Sequence, residues 1–270
     1  MYRINKYQFD TFKCQAELHK SNYAVLSNEP DKGIKYAPYA NFSDEYNMLK
    51  ALSHSQIPRT YDIGQGDLYK DSKFLIKQNF IVLQHIKGYD VVEYFKEKDV
   101  ENIKIIDEII HLFISLCGPL QYLHDNNYIH CDLKPGHLII EQKTGVLCLI
   151  DFELAISREE AIKGISREYA SPEQFRMLDY LKTIPEDANL KNIPANILLD
   201  GKTDLYSAGL ILYQLLTKNV WQTNKVLPGK INRHIPKKVE EIIINLLKDT
   251  PSERISSAEE LKKHLLNSMI

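Results

Sequence analysis

The first eighty or so residues carry short runs in which apolar and polar side chains alternate. Phe12 to Leu18, Tyr23 to Ser27, Gly33 to Ala37, Ile57 to Ile63 and Phe80 to Ile86 each predict a strand. The turn-rich stretch Asn28-Glu29-Pro30-Asp31-Lys32-Gly33 separates two of them. Ser43-Asp44-Glu45 predicts the capped start of a helix with Met48, Leu49 and Leu52 on one face. After Gly88 the period becomes helical. Ile109, Ile110, Phe113, Ile114, Cys117, Leu120 and Leu123 recur at i, i+3 and i+4 through Asp107 to His124. Leu205 to Leu216 and Val239 to Leu247 predict two more helices, and Ser257-Ala258-Glu259-Glu260 predicts a capping box opening a last one. The pattern is a small β-rich part with one helix, then a mostly helical part.

Composition narrows the classes. The chain has 270 residues, 44% hydrophobic and 26% charged, enough to bury a sizeable core. Lys and Arg number 34 against 36 Asp and Glu, a net charge of −2, so no general nucleic-acid partner is expected. No apolar stretch approaches the ~20 uncharged residues of a membrane span. The most apolar region, Ile103 to Leu123, contains Lys104, Asp107, Glu108 and His111. Arg3, Asn5, Lys6 and Asp10 precede no apolar run, so no signal peptide is expected and the expected location is cytoplasmic. Cys14, Cys117, Cys131 and Cys148 form neither a Cys-x-x-Cys pair nor a metal spacing, and are expected as reduced, mostly buried thiols.

The chemistry concentrates in Tyr128-Ile129-His130-Cys131-Asp132-Leu133-Lys134-Pro135-Gly136-His137-Leu138-Ile139-Ile140. A polar run between two apolar segments predicts a tight loop held by buried flanks. Asp132 and Lys134 on such a loop suit phosphoryl transfer: the carboxylate accepts a hydroxyl proton and the ammonium neutralises the moving phosphate.

This run resembles the catalytic loop of protein kinases, His-Arg-Asp-Leu-Lys-x-x-Asn. Three further segments resemble the family's motifs, in the family's order. Leu149-Ile150-Asp151-Phe152-Glu153 is similar to the Asp-Phe-Gly metal loop, and Tyr169-Ala170-Ser171-Pro172-Glu173 to the Ala-Pro-Glu element. Asp204-Leu205-Tyr206-Ser207-Ala208-Gly209 is similar to the start of the large buried helix. The resemblance is to a divergent bacterial Hanks-type Ser/Thr kinase and covers essentially the whole chain. It implies an α+β, bilobal protein-kinase-like fold as one domain over 1–270. The N-lobe would be 1–85, the C-lobe 86–270, with an insertion near 177–200.

The resemblance also implies roles. Asp132 would be the catalytic base, and Lys134 the lysine that Ser/Thr kinases bring to the transferred phosphate. Ser166 takes the place of a threonine that touches the catalytic aspartate. Lys35 and Glu45 would form the pair that holds the α and β phosphates of ATP, although ten positions is a short spacing for it. Leu18, Val25, Gly33, Leu83, Gln84, His85 and Ile139 would complete the ATP site. Asp151, with His137 and Glu153, would hold Mg²⁺ or Mn²⁺. Glu173, Asp204 and Arg254 would be structural, Glu173 and Arg254 as a buried ion pair.

Four departures from the family pattern alter these expectations. Glu17 to Val25 replaces the glycine-rich loop without a glycine, leaving Lys20, Ser21 and Asn22 to supply side-chain contacts. His137 replaces a metal-binding asparagine, and imidazole suits Mn²⁺ better than Mg²⁺; once protonated it would repel the metal. Glu153 replaces a glycine and adds a carboxylate, as in the kinase-like part of some lanthipeptide synthetases. Cys131 replaces an arginine that pairs with a phosphorylated activation segment, so no phosphorylation switch is expected there. Cys131 is either buried or an oxidant sensor. Glu173 and Asp204 stand 31 positions apart, which predicts a surface excursion between them.

Three functions follow. The leading one is ATP-dependent phosphoryl transfer to Ser/Thr hydroxyls of a protein substrate, without nucleic-acid or membrane partners. The second is a pseudokinase that regulates a partner by binding. The third is a kinase for a small molecule or peptide.

Overall fold

The computed structural model describes residues 1–9, 13–14, 22–185, 193–194, 197–221 and 225–269. The chain forms two compact units, Met1–Gly88 with Glu141–Lys143, and Tyr89–Ile140 with Thr144–Ile270.

The first unit is built on a seven-stranded antiparallel sheet. Its strands are β1 (Tyr2–Ile4), β2 (Tyr7–Phe9), β3 (Lys13–Cys14), β4 (Asn22–Val25), β5 (Lys32–Ala37), β6 (Thr60–Lys70) and β7 (Lys73–Gln84), in the order β2-β1-β6-β7-β5-β4-β3. Helix α1 (Ser43–Ala51) lies between β5 and β6 in the chain and buries Glu45, Met48 and Leu49. Alternation puts Ile4, Phe9, Ile34, Tyr36, Phe80 and Val82 into one apolar cluster.

Several elements differ from the sequence pattern. The hairpin β1–β2 was not predicted, although Ile4, Tyr7 and Phe9 alternate inward. Strands β6 and β7 extend well beyond the predicted Ile57–Ile63 and Phe80–Ile86. They meet at Asp71-Ser72, both left-handed at φ 46° and 67°, the conformation of a tight hairpin turn. Ser43 does not cap α1: Phe42 holds the cap position, and the Ser43 amide donates to Asn41 Oδ1 at 3.0 Å. Of the predicted strand Phe12–Leu18, Lys13 and Cys14 are in β3, and the remainder lies outside the described residues.

After β7 come β8 (Gly88–Asp90), α2 (Val91–Phe95), α3 (Ile103–Asp125), β9 (Tyr128–Ile129), a 3₁₀ turn (Pro135–His137), β10 (Leu138–Glu141), β11 (Leu147–Leu149) and β12 (Ile156–Ser157), all in the second unit except Gly88 and Glu141. Then come α4 (Pro172–Leu181), α5 (Lys202–Thr217), α6 (Pro228–Ile231), α7 (Lys237–Leu246) and α8 (Ala258–Ser268). Helix α3 starts earlier than its periodicity predicts, because Asn102 Oδ1 accepts the Lys104 amide and opens it. Helix α5 is almost wholly buried. Gly209 lets it approach α7: a Cβ there would lie 2.8 Å from Leu246 Cβ.

The connection after Glu173 is not simply a surface excursion. It begins as helix α4, and Ile193 and Leu199 are buried with Ile129, Cys131 and Met177. Residues 186–192 and 195–196 lie outside the described residues. Among the described residues, no helix is long and apolar enough to cross a membrane.

Candidate active site

The loop from Ile129 to His137 is anchored by its backbone. Asp204, at the start of α5, accepts the amides of His130 and Cys131, each at 2.9 Å, and meets His124 Nε2 at 2.8 Å. Burial alone would push the Asp204 carboxyl up. The His124 hydrogen bond, the electrostatic pull of the nearby His124 and His130 rings and the His130 amide outweigh burial and hold it below the ordinary value. One buried carboxylate therefore pins two consecutive peptide units at φ 61° for Cys131, a left-handed turn. From below, Gln174 Nε2 donates to the Cys131 carbonyl at 2.7 Å. Gln174 is fixed by a capping box with Ser171, the two residues exchanging backbone-to-side-chain bonds at 2.9 and 3.4 Å.

That frame presents Asp132 and Lys134. Asp132 is 7% exposed. Its Oδ2 takes the Lys134 ammonium at 3.0 Å, while its buried Oδ1 has no hydrogen-bond partner among the described residues. Lys134 Nζ also donates to Ser166 Oγ at 3.1 Å. Ser166 thus meets Lys134, whereas the family pattern put it on the aspartate. A hollow of about 480 Å³ opens beside Lys134, bordered by Asp90, Glu93, Lys96, Pro135 and Tyr169.

His137 faces two ways. Its Nδ1 donates to the Asp132 carbonyl oxygen at 2.8 Å, and its Nε2 lies 3.2 Å from Asp151 Oδ2. Asp151 follows β11 in a left-handed conformation, φ 63°. Asp151 and Glu153 bring carboxylate oxygens within 4.8 Å of one another. Between them Phe152 is fully buried, its ring 4.9 Å from that of His130. His130 Nε2 in turn meets the Ile150 carbonyl at 3.1 Å. Cys131 is buried, and burial pushes its thiol well above the ordinary range, which removes the oxidant-sensor alternative.

Glu173 and Arg254 form a two-pronged buried ion pair, Nη1–Oε1 2.6 Å and Nη2–Oε2 2.8 Å. Thr203 Oγ1 donates to the same carboxylate at 3.1 Å, and Arg254 Nε and Nη1 donate to the carbonyls of Lys248 and Lys202. The remaining donors and acceptors are thereby satisfied, which a buried pair requires.

In the first unit, Lys35 Nζ lies 3.1 and 3.4 Å from the two Glu45 carboxylate oxygens, both residues buried. The ten-residue spacing suffices because β5 and α1 are joined by a short loop. Val25 pairs with Gly33 and Gly33 with Leu83, so these residues sit on adjacent strands. Gln84 and His85 follow, the His85 amide donating to the Asp31 carbonyl at 2.7 Å. Tyr23 Oη meets His85 Nδ1 at 2.9 Å.

A family model described as the protein kinase domain matches residues 10–266. The chain belongs to the protein kinase family. Its relatives include the serine/threonine-protein kinase PksC of Streptomyces coelicolor, 25% identical over 90% of this chain and 43% of that protein. The serine/threonine-protein kinase PrkC of Bacillus subtilis is 23% identical over 92% of this chain and 37% of that protein. The chain therefore spans under half the length of these relatives. The kinase domain of Mycobacterium tuberculosis PknI matches in fold, with a TM-score of 0.67, 16% identity, and 98% and 97% of the two chains covered. The fold is that of a protein kinase, with a β-sheet N-lobe and a helical C-lobe.

Seen as a kinase, the second unit brings together Asp132, Lys134, Ser166, His137 and Asp151, with Glu153 close to Asp151. Ile139 sits half-buried on β10 opposite Cys148. The first unit pairs Lys35 with Glu45. Leu18, Lys20 and Ser21 lie outside the described residues. Sequence reasoning missed Gln174 and Tyr23. The Ser171-Pro172-Glu173-Gln174 spelling carried a signal for the first, since Ser with Gln three residues later is a capping box. Nothing local marked Tyr23.

Proposed function

We propose that this kinase domain transfers the γ-phosphate of ATP to serine or threonine hydroxyls of a protein. The observation that carries this reading is the state of Asp132. One oxygen is held by Lys134, and the other has no hydrogen-bond partner among the described residues, which leaves this carboxylate with capacity to accept a hydroxyl proton. Lys134, tied to Asp132 and Ser166, would neutralise charge on the phosphate as it moves. The Lys35–Glu45 pair would fix the α and β phosphates, and Val25, Gly33, Leu83, Gln84, His85 and Ile139 would surround the nucleotide. The hollow beside Lys134 offers room for the acceptor segment.

The residues present fit a divalent cation. Asp151, Glu153 and His137 offer oxygen and nitrogen donors at close range. His137 Nδ1–H donates to the Asp132 carbonyl, which turns Nε2 toward Asp151 as the ring nitrogen that would meet a cation. A bound Mg²⁺ or Mn²⁺ would bridge and neutralise the nucleotide phosphates. Imidazole in this place favours Mn²⁺.

Acid hydrolysis of a phosphorylated protein substrate tests the acceptor class. Label recovered as phosphoserine and phosphothreonine supports the reading; label only as phosphotyrosine or on small molecules contradicts it.

A further inference from the structure

Gly33 is covered by a side chain from the neighbouring strand. A Cβ at Gly33 would lie 2.0 Å from the Tyr23 hydroxyl oxygen and 2.3 Å from its ring Cζ. The far end of Tyr23 therefore occupies the space that any larger residue at position 33 would fill. From β4 the ring reaches across β5 toward the end of β7, where its hydroxyl pairs with His85 Nδ1 at 2.9 Å and the two rings lie 5.9 Å apart. His85 is itself tethered through its amide to Asp31. Burial pushes the Tyr23 hydroxyl up, so it keeps its proton for this bond.

We propose that Tyr23 is a built-in plug of the nucleotide base site, and that a base binds only when this ring swings away. The proposal rests on the reading of the chain as an ATP-dependent kinase, and it gives that site a gate. Gly33, Leu83 and His85 are among the residues assigned to ATP, and Lys35, two residues along β5 from Gly33, is assigned to the phosphates, which leaves the Gly33 end to the base. A flat ring with one hydrogen-bonding edge, laid on Gly33 and paired with His85, takes the place that a flat base would need. Ring and base cannot both lie on Gly33. A ring held by packing and one hydrogen bond is released by rotation about its side-chain torsions, without moving the sheet. The apparent affinity for ATP is then reduced by the fraction of molecules in which the ring is out.

Calorimetric titration of the full chain with ATP, and separately with inorganic triphosphate, tests this in wild type, Tyr23→Ala, Tyr23→Phe and Gly33→Ala. Tyr23→Ala should tighten ATP by about tenfold and leave triphosphate unchanged, because the plug opposes only the base. Tyr23→Phe, which keeps the packing and loses the hydrogen bond, should tighten ATP by about threefold. Gly33→Ala should tighten it as well, since the new Cβ expels an intact ring. If Tyr23→Ala does not fold, Tyr23→Phe and Gly33→Ala decide. ATP affinity unchanged or weakened in the variants, with wild type binding, overturns the plug and leaves the kinase reading standing. An equal gain for triphosphate also overturns it. No ATP binding by any of the four proteins overturns both.

Discussion

His137 stands where most kinases place a metal-binding amide, and its ring is bonded from both sides. The Asp132 carbonyl takes Nδ1 and Asp151 lies against Nε2. If it is a cation ligand, His137→Asn should shift the ratio of Mn²⁺- to Mg²⁺-supported transfer toward Mg²⁺ by about tenfold. Initial rates in each metal measure this; an unchanged ratio would remove His137 from the metal site. Asp204 is expected to be one source of acid sensitivity. Its carboxyl is held below the ordinary value, so its contribution is complete above about pH 3.9 and is lost as pH falls through the folded value. Thermal melts below about pH 4 should fall more steeply for wild type than for Asp204→Asn. Parallel melting curves would show that this carboxylate is not the acid-sensitive group. Asp132, Lys134 and Asp151 were legible in the sequence because their chemistry resides in the side chain and in a fixed spacing. Tyr23 was not, because its position depends on a glycine in the next strand and a histidine two strands away.

At the scale of elements, α4 and α5 are locked through Glu173, Thr203 and Arg254. Arg254→Met would leave the Glu173 carboxylate buried without its partner, and should cost ~3–5 kcal/mol of unfolding free energy in denaturant titration. A loss below ~1 kcal/mol would mean that the pair is replaceable. The helices were legible because each shows a long apolar stripe. Their ends were less so: Asn102 opens α3 and Phe42 precedes α1, both outside the apolar period. Ser257 caps α8 as expected, yet Glu260 reaches back to the Ser256 amide, one residue earlier than a capping box would have it. The long β6–β7 hairpin was underestimated because its outer part exposes Phe74, Leu75 and Ile76, which breaks the inward–outward alternation that marks a half-buried strand.

At the scale of the whole molecule, four ordered motifs made the family and its two-part architecture legible. The motifs meet in one frame, in which Asp204 holds the loop that carries Asp132, while Gln174, just past the Tyr169–Glu173 motif, supports that loop and Arg254 secures the helix that carries Gln174. The extra sheet strands β1 and β2, and the buried Ile193 and Leu199, lie outside those motifs, and their packing depends on partners far away in the chain. The same frame holds Asp132, whose buried Oδ1 has no hydrogen-bond partner among the described residues. The decisive measurement is transfer of labelled γ-phosphate from ATP to a generic protein substrate, in Mg²⁺ and in Mn²⁺, by wild type and by Asp132→Asn. Transfer by wild type that falls by about 10²–10⁴ in Asp132→Asn, with ATP binding retained, is the predicted result. Transfer that survives the substitution, or no transfer by wild type in either metal, would contradict it.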